Sequence, residues 1–280
     1  MKTVNSISGG KTSAYIAAHY PADFNVFSLV RTEHQKSKFK DKKIRKIVED
    51  RIQAPFISTA EDDVIIYTIL DLEQFLGQKI HWVTGITFDE VVKTKGGWLP
   101  NKLHRYCTTH LKLTPIFEWW QKTLNDPAEF RIGFRANEQS RAKRMLEKTN
   151  HNGLLEMKTI IGKRKTRNKW GMIEWQKPTF PLIKDNIYKD QINKYWNNKK
   201  VRFAWMNNCV GCFHKSPLLL KKMYQLNPDK MSWFEEQEMN RDKRDGWINH
   251  LRYSQIKNWE TQMELFKDDF NECDSGYCGL

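Results

Sequence analysis

Blocks of hydrophobic and polar residues alternate along the first half of the chain in a way that predicts strands followed by helices. Short, mostly apolar runs, typical of buried strands, cover residues 3–7, 24–30, 55–58, 80–83 and 130–134. Longer stretches with a helical spacing of apolar residues lie between them, at 14–19, 39–52, 64–75 and 109–124. Strands that alternate with helices pair in parallel through right-handed crossovers. The pattern therefore predicts an α/β fold with a doubly wound, mostly parallel five-stranded sheet.

The last third of the chain has a different character. Residues 216–270 are helix-like and rich in aromatic side chains, which we expect to form core. We therefore expect an α/β domain over 1–200 and a helical, cysteine-containing C-terminal elaboration over 201–280. Two basic stretches look like insertions: a lysine-dense segment at 33–46, and a segment at 162–177 that mixes six basic residues with Trp170 and Trp175.

The most informative segment joins the first predicted strand to the first predicted helix. It reads Ser8-Gly9-Gly10-Lys11-Thr12-Ser13. A glycine pair lets the backbone approach an anion closely, and the N-terminus of the following helix presents N–H groups to that anion. Three hydroxyl groups and one lysine would add to the binding of phosphate. The alternative is a plain Gly-Gly turn between a strand and a helix.

A Walker A loop is excluded, because that motif requires a glycine where this chain has Asn5. The order Ser-Gly-Gly-x-x-Ser resembles instead the PP-loop of the adenine-nucleotide α-hydrolase superfamily, which contains ATP pyrophosphatases and phosphoadenylylsulfate (PAPS) reductases. The resemblance implies that the loop holds pyrophosphate, or the phosphate and sulfate of an adenylylsulfate.

A second segment carries the same resemblance. Gly133, Arg135, Glu138 and Arg141 follow the last predicted strand of the domain in the order Gly-x-Arg-x-x-Glu-x-x-Arg. Two arginines can hold a phosphate as bidentate donors while the glutamate orients one of them. This order is similar to the second conserved block of the PAPS-reductase branch; a solvated helix start with salt bridges is the alternative. Pro181-Leu182 is a third, weaker similarity.

These segments are expected to meet. Ser8, the region around Thr32, and Gly133 all lie at or close behind the carboxyl ends of predicted strands. In open parallel sheets the ligand binds at that edge, near the point where the strand order reverses. The sequence therefore predicts one crevice that contains both blocks and Thr32 as nucleotide-binding residues.

The charge of the chain favours a polyanionic partner. Lys and Arg number 47 against 33 Asp and Glu, a net charge of +14, and the sequence pI is about 9.5. Such a charge favours nucleic acid through counterion release, although it also keeps a basic protein soluble. The 162–177 segment suits phosphate contact and base stacking; an exposed loop with both tryptophans packed back on the domain is the alternative. We find no apolar run of membrane-spanning length and no signal peptide, and expect a cytoplasmic location. A homodimer is a further expectation.

Five cysteines, an odd number, argue against a disulfide framework in a reducing compartment. Cys209 and Cys212 form a Cys-x-x-Cys, which is typical of half a zinc site or of a redox pair. Cys107 falls at a predicted helix start, where the helix dipole would favour its thiolate. Cys273 and Cys278 lie close to the end of the chain.

The family resemblance gives these cysteines a role. Iron–sulfur members of the superfamily have one cysteine after the central helical region and a later Cys-x-x-Cys, and Arg-x-Cys-Thr-x-x-Leu-Lys around Cys107 looks like the first element. The resemblance implies a [4Fe–4S] cluster on Cys107, Cys209, Cys212 and a fourth ligand, Cys273 or Cys278. Zn²⁺ remains open as the metal. The reductases usually have two adjacent cysteines where this chain has Cys107 alone, which favours the branch that makes thio-modified nucleic acid.

The resemblance thus implies an ATP pyrophosphatase similar to those of DNA phosphorothioation systems. ATP with Mg²⁺ would bind the first loop, with Lys11, Ser13 and Arg135 as catalytic residues. Sulfur from a cysteine desulfurase or another persulfide donor would then displace the adenylyl group, delivered through the cluster or Cys278. One alternative is a PAPS or adenylylsulfate reductase with Cys278 as nucleophile and thioredoxin as reductant. Another is a non-catalytic nucleic-acid-binding protein with structural zinc.

Overall fold

The computed structural model describes residues 1–239 and 246–259. Within these residues the chain forms a six-stranded sheet in the order β5-β2-β1-β6-β8-β7 and a two-stranded sheet of β3 and β4. The strands are β1 (Thr3–Ile7), β2 (Phe24–Ser28), β3 (Arg31–Thr32), β4 (Ser58–Thr59), β5 (Ile80–Val83), β6 (Ala128–Arg131), β7 (Leu155–Arg164) and β8 (Arg167–Thr179). All neighbours in the large sheet are parallel except β7 and β8. The α/β class and the mostly parallel sheet are confirmed.

Helices cover the sheet and build the C-terminal part of the described chain. They are α1 (Lys11–His19), α2 (Lys42–Ile52), α3 (Val64–Leu76), α4 (Phe88–Thr94), α5 (Tyr106–Thr108), α6 (Thr114–Thr123), α7 (Gln139–Leu146), α8 (Pro181–Lys184), α9 (Lys189–Trp196), α10 (Pro217–Leu226), α11 (Pro228–Met239) and α12 (Tyr253–Lys257). A π-helical turn, Thr109–Leu113, joins α5 to α6, and a 3₁₀ turn, Ala136–Glu138, precedes α7. Local signals set several starts: Asp41 caps α2 by accepting two backbone N–H groups, and Thr87 and Glu90 form a capping box on α4.

The strand order creates one reversal point. From β1 the chain moves through β2 to β5 on one side, and then returns to place β6 and β8 on the other side of β1. β1 and β6 are hydrogen-bonded neighbours, with Thr3 opposite Glu129 and Asn5 opposite Arg131. Both strands therefore end at the same edge of the sheet, where open α/β sheets bind ligands.

Two strand predictions need correction. The large sheet has six strands among the described residues, and the 55–58 run does not join it, because Ser58 pairs with Thr32 in the small sheet. The missing strands come from the basic 162–177 segment, which is a β7–β8 hairpin rather than a loop. Only residues 176–179 of β8 pair with β6, at 128–131. The rest of the hairpin extends past the amino ends of the strands, about 30 Å at 3.3 Å per residue, away from Ser8 and Gly133.

The two tryptophans of that segment have different environments. Trp175 is 3% exposed and packs among Phe117, Trp120 and Phe130. Trp170 is 56% exposed. Trp175 is therefore core, as the alternative interpretation of this segment proposed, and only Trp170 presents an indole to solvent.

The C-terminal helices share a core with the first part of the chain. Trp233, Phe234 and Trp247 pack with Phe88 of α4, and the same buried cluster includes Leu111 of the π turn. Glu238, buried in α11, accepts hydrogen bonds from the backbone N–H groups of Trp247 and Tyr253. The described residues after 200 thus pack against the edge of the α/β unit that carries the strand C-termini. Cys273 and Cys278 lie outside the described residues. No helix in 1–239 or 246–259 is both long and apolar enough to span a bilayer.

Candidate functional site

The Ser8–Ser13 segment joins β1 to α1, as the sequence predicted, but α1 begins at Lys11, three residues earlier than expected. Gly9 has φ of +78°, the left-handed region that favours glycine. A Cβ on Gly9 would lie 2.5 Å from Cγ2 of Ile65, and a Cβ on Gly10 would lie 2.1 Å from Nδ2 of Asn207. Both glycines are therefore required, one by backbone conformation and contact and the other by contact alone. The glycine pair therefore does more than form a turn, because it allows Ile65 of α3 and Asn207 to pack directly against the loop backbone.

Hydroxyl groups hold the loop in a fixed shape. The Ser13 Oγ lies 3.1 Å from both the backbone N and the Oγ of Ser8, and it donates to the Gly10 carbonyl at 3.0 Å. Asn207 donates to the Ser8 Oγ at 3.4 Å. Thr12 and Ser13 are buried. This network orders the loop before any ligand is bound, which lowers the entropic cost of binding.

Lys11 lies at the first position of α1 and is directed to α9. Its Nζ donates to Oδ1 of Asn193 at 3.2 Å, and its carbonyl accepts from the indole of Trp196 at 3.0 Å. A lysine held by one neutral amide can exchange that partner for a phosphate oxygen at little cost, since the amide leaves its charge uncompensated.

The second block forms a linked arginine–glutamate group at the end of β6. Glu138 accepts from the Arg135 backbone N–H at 2.9 Å and from its Nε at 3.0 Å, and it also accepts from Nη1 of Arg141. The Arg141 guanidinium lies 4.4 Å from the ring centroid of Phe134. Arg135 is buried. The block is thus an ordered, net cationic group next to Gly133. Its internal salt bridges also agree with the alternative interpretation, a helix start that carries salt bridges without binding phosphate.

Thr32 makes contacts of a different kind. It is buried in β3 opposite Ser58, and the next residue, Glu33, contacts α4 through Asp89 and Thr87. The described contacts of this segment thus tie it to the small sheet and α4. Its predicted role in nucleotide binding gains no support from these contacts.

A buried ion pair that the sequence did not reveal lies beside the loop. Glu61 Oε1 accepts from Lys112 Nζ at 2.9 Å, and the glutamate is only 1% exposed. Both side chains line a small cavity at the carboxyl ends of β1 and β2, together with Ser8 and Ser28. Burial lowers the pKa of Lys112, but Glu61 and then Cys209 more than reverse this, so its pKa is raised overall. Glu61 stands in a run of three acidic residues, and nothing in the sequence distinguishes it from its neighbours.

Three cysteines that are distant in sequence line one cavity of about 50 Å³: Cys107, Cys209 and Cys212. Lys112 lines this cavity too, so it separates the cysteines from the small cavity beside the loop. Burial, and then the neighbouring Cys212, raise the pKa of Cys107 to about 11. Burial likewise raises the pKa of Cys209. The expectation that a helix start favours the Cys107 thiolate is therefore not met for the free thiol, because burial raises its pKa.

One buried and one partly buried cation lie close to these thiols. Lys215 is 5% exposed and donates to the carbonyl of Cys209 at 2.6 Å and to Oδ1 of Asn208. Arg105 lines the same cavity, and its buried Nε has no hydrogen-bond partner among the described residues. Burial lowers the pKa of both cations, while the charge of the cysteines opposes this shift.

The three cysteine thiols are of the chemical type that binds zinc or iron–sulfur clusters, but their arrangement is not that of a metal site. Within residues 1–239 and 246–259, no three His, Cys, Asp or Glu side chains have an arrangement that would hold a metal ion. The three thiols nevertheless share a cavity walled by cations, and thiolates bound to a metal would compensate those cations. The fourth proposed ligands, Cys273 and Cys278, lie outside the described residues.

Comparisons of the chain with protein-family models, with curated proteins and with solved structures found no match. The description of the site therefore depends on the fold and on the contacts within the chain.

Proposed function

We propose that this chain is an ATP pyrophosphatase of the PP-loop type that adenylates an acceptor and prepares it for sulfur insertion. The observation that carries the proposal is the meeting of two cationic elements at the strand reversal. The ordered Ser8–Ser13 loop and the Arg135–Arg141 block leave adjacent parallel strands at one edge of the sheet. An α/β sheet binds phosphate groups at this position, through a helix N-terminus and convergent donors.

In the proposed reaction, an oxygen of the acceptor attacks the α-phosphorus of ATP and pyrophosphate leaves. The loop N–H groups and the hydroxyls of Ser8 and Ser13 bind the phosphate oxygens. Lys11 releases Asn193 and stabilises negative charge on the leaving pyrophosphate, together with Arg135 and Arg141, which Glu138 orients. Mg²⁺, when bound, would neutralise phosphate charge and hold the oxygens in line.

A second step would introduce sulfur. The terminal sulfur of a persulfide, from a cysteine desulfurase or a similar donor, attacks the adenylated acceptor and AMP leaves. A thiol then cleaves the remaining S–S bond and is itself oxidised to a disulfide. The charge of +14 favours a nucleic acid, DNA or RNA, as the acceptor. Cys278, proposed to carry sulfur or to act as a reductase nucleophile, lies outside the described residues.

The cysteine cavity supports a cluster in this scheme. Cys107, Cys209 and Cys212 would supply three thiolates to a [4Fe–4S] cluster, with Cys273 or Cys278 as the fourth. Arg105 and Lys215 have no carboxylate partner among the described residues. Cations removed from water are normally paired with an anion. Thiolates of the three cysteines would compensate the charges of Arg105 and Lys215.

Pyrophosphate release from MgATP tests the proposal. Lys11→Ala and Ser13→Ala should abolish it, whereas Lys46→Ala, which removes an exposed lysine of α2 paired with Asp50, should leave it unchanged. Since Ser13 also orders the loop, thermal melting must show that its variant is folded; Lys11→Ala removes only one hydrogen bond to Asn193. Release by both variants at the wild-type rate would refute the assignment. Sulfite release from phosphoadenylylsulfate, without pyrophosphate release from ATP, would identify a reductase instead.

The metal is tested separately. An anaerobic preparation should be brown, with broad absorption near ~400 nm as is usual for cysteine-ligated iron–sulfur clusters. Cys107→Ser, Cys209→Ser and Cys212→Ser should each lower the iron content. A colourless protein that contains zinc would refute the cluster and support structural zinc.

A further inference from the structure

Residues 93–105, which include the last two residues of α4 and the connection to α5, form a basic surface segment that no part of the proposed chemistry uses. We call it the Trp98 loop. The chain has no Asp or Glu between Glu90 and Glu118, while the loop contains Lys93, Lys95 and Lys102. These lysines are exposed, and no described carboxylate lies within 4 Å of their ammonium groups. The loop itself contains no acidic residue; Lys36 and Lys46, by contrast, pair with Glu236 and Asp50.

The loop holds two large apolar side chains in solvent on an ordered backbone. Trp98 is 61% and Leu103 is 80% exposed. The Asn101 Oδ1 accepts from the backbone N–H of Leu103 at 2.9 Å and of His104 at 3.0 Å, while the carbonyl of Trp98 accepts from the hydroxyl of Tyr106. Leu99 is buried and anchors the loop in the C-terminal core. The backbone is thus fixed without burying the indole, which leaves a flat aromatic face for a ligand.

The loop adjoins the cysteine cavity. Its last residue, Arg105, lines that cavity beside Cys107 and His214. The element that follows the loop, α5, carries Cys107 itself. A ligand bound along the loop would end next to the cysteines.

We propose that the Trp98 loop binds single-stranded nucleic acid, with an unpaired base stacked on Trp98 and phosphates bound by Lys93, Lys95 and Lys102. The inference rests on the proposed function, for which it names the surface that receives the acceptor. Stacking on an exposed indole requires a base that is not paired, and interleaved lysines follow the phosphate backbone. The unpaired lysine charges favour a polyanion over a neutral protein surface.

A second exposed tryptophan provides a matched comparison. Trp170 on the β7–β8 hairpin is 56% exposed, with Lys158 6.0 Å from its ring and Lys169 beside it in sequence. Its composition suits nucleic acid equally well. However, the hairpin extends from the opposite edge of the sheet, so an acceptor bound there would not reach the loop at Ser8. Position, rather than composition, distinguishes the two surfaces.

Fluorescence anisotropy of labelled single-stranded DNA and RNA oligonucleotides, with the full chain and no ATP, tests the inference. Trp98→Ala should weaken binding about 5- to 150-fold, the usual effect of losing one stacked base. Lys93→Gln, Lys95→Gln and Lys102→Gln should each reduce the slope of log affinity against log salt by about 0.7. Trp170→Ala and Lys169→Gln should bind as the wild type does. The DNA and RNA arms show which acceptor is preferred.

Wild-type affinity in all the Trp98-loop variants, or a loss confined to the hairpin variants, would overturn the inference. So would a Trp98→Ala effect on self-association in gel filtration without oligonucleotide binding, which would make the loop a protein contact. Failure of this inference and failure of the proposed function are distinguishable. Loop-dependent oligonucleotide binding without pyrophosphate release from ATP keeps the surface and removes the ATP chemistry. If the protein releases pyrophosphate but the loop variants bind oligonucleotides as the wild type does, the ATP chemistry is supported and the Trp98 loop is overturned as the binding surface.

Discussion

Replacing Gly9 with alanine should destabilise the fold by more than its backbone conformation alone explains. Gly9 has φ of +78°, and an added Cβ would lie 2.5 Å from Cγ2 of Ile65, a residue with no exposed surface. The left-handed conformation costs an alanine roughly 1–2 kcal/mol. Forcing a methyl group into a packed core costs about 1–3 kcal/mol more. Together these lower the free energy of unfolding by about 2–5 kcal/mol.

Gly77 provides the matched control for this prediction. It has a similar φ of +60°, at the C-terminus of α3, but an added Cβ would meet nothing within 4 Å. Gly77→Ala should therefore show the backbone cost alone. The difference between the two variants isolates the contact with Ile65, which should be about 1–3 kcal/mol. At about 2–4 °C per kcal/mol for domains of this size class, Gly9→Ala should melt about 2–12 °C below Gly77→Ala.

Urea denaturation and thermal melting of both variants measure this difference. Ile65→Ala sharpens the test, because it removes Cγ2: in that background Gly9→Ala should cost no more than Gly77→Ala does. Equal stability of the two glycine variants in the wild-type background would refute the close approach of the loop to α3. A contact cost that persists in the Ile65→Ala background would show that another residue opposes the methyl group.

Three further changes have expected outcomes. Lys112→Met and Glu61→Gln should each destabilise by about 3–5 kcal/mol in urea denaturation, since each leaves a buried charge or acceptor alone; the double variant should lose less than the sum, and additivity would contradict a coupled pair. Asp71→Asn removes a carboxylate that accepts two hydrogen bonds from the guanidinium of Arg202, which lowers the pKa of Asp71. It should cost about 1 kcal/mol at pH 7. The cost should begin to fall at about pH 3.9, where the unfolded wild type takes up the proton, and should be lost only below the lower pKa of the folded state; a constant difference would contradict this. In urea denaturation, Trp175→Ala should lower the free energy of unfolding by about 3–5 kcal/mol, whereas Trp170→Ala should change it by no more than about 0.5 kcal/mol. Equal losses would refute the assignment of Trp175 to the core and of Trp170 to the exposed part of the hairpin.

The elements around the loop were predictable because local signals and burial agree there. The predicted strand 3–7 is β1, two glycines follow shortly after it, and α1 ends at the predicted residue 19 although it begins three residues earlier than the predicted 14. β8 was not predictable, because most of it is solvent-exposed and carries charges on both faces. The binary pattern that reveals a strand requires one buried face, and here only the last few residues have one. The 55–58 run is apolar because Phe56 packs in the core, which the pattern does not distinguish from a strand.

The site was predictable only where its residues are close in sequence. The two candidate phosphate-binding blocks occupy six and nine residues, and their places behind predicted strands suggested that they share one edge of the sheet. Asn207, which closes on Ser8, is 199 residues away, and Glu61 and Lys112 are separated by 51. Such pairs are set by tertiary packing, and a single sequence contains no signal for them. The joining of the three cysteines was predicted through the family resemblance, and the structure brings all three to one cavity.

Lys112 gives the two cavities a common electrostatic element. Its ammonium group is bound to Glu61 on the loop side, and its charge also acts on Cys209 and Cys212 on the other side. If the cysteines become thiolates, Lys112 is attracted by them as well as by Glu61. Glu61 has its second oxygen, Oε2, buried without a hydrogen-bond partner among the described residues, so it is sensitive to any such change. The charge state of the cysteine cavity should therefore influence the groups beside Ser8, because a buried charge pair is screened little by solvent.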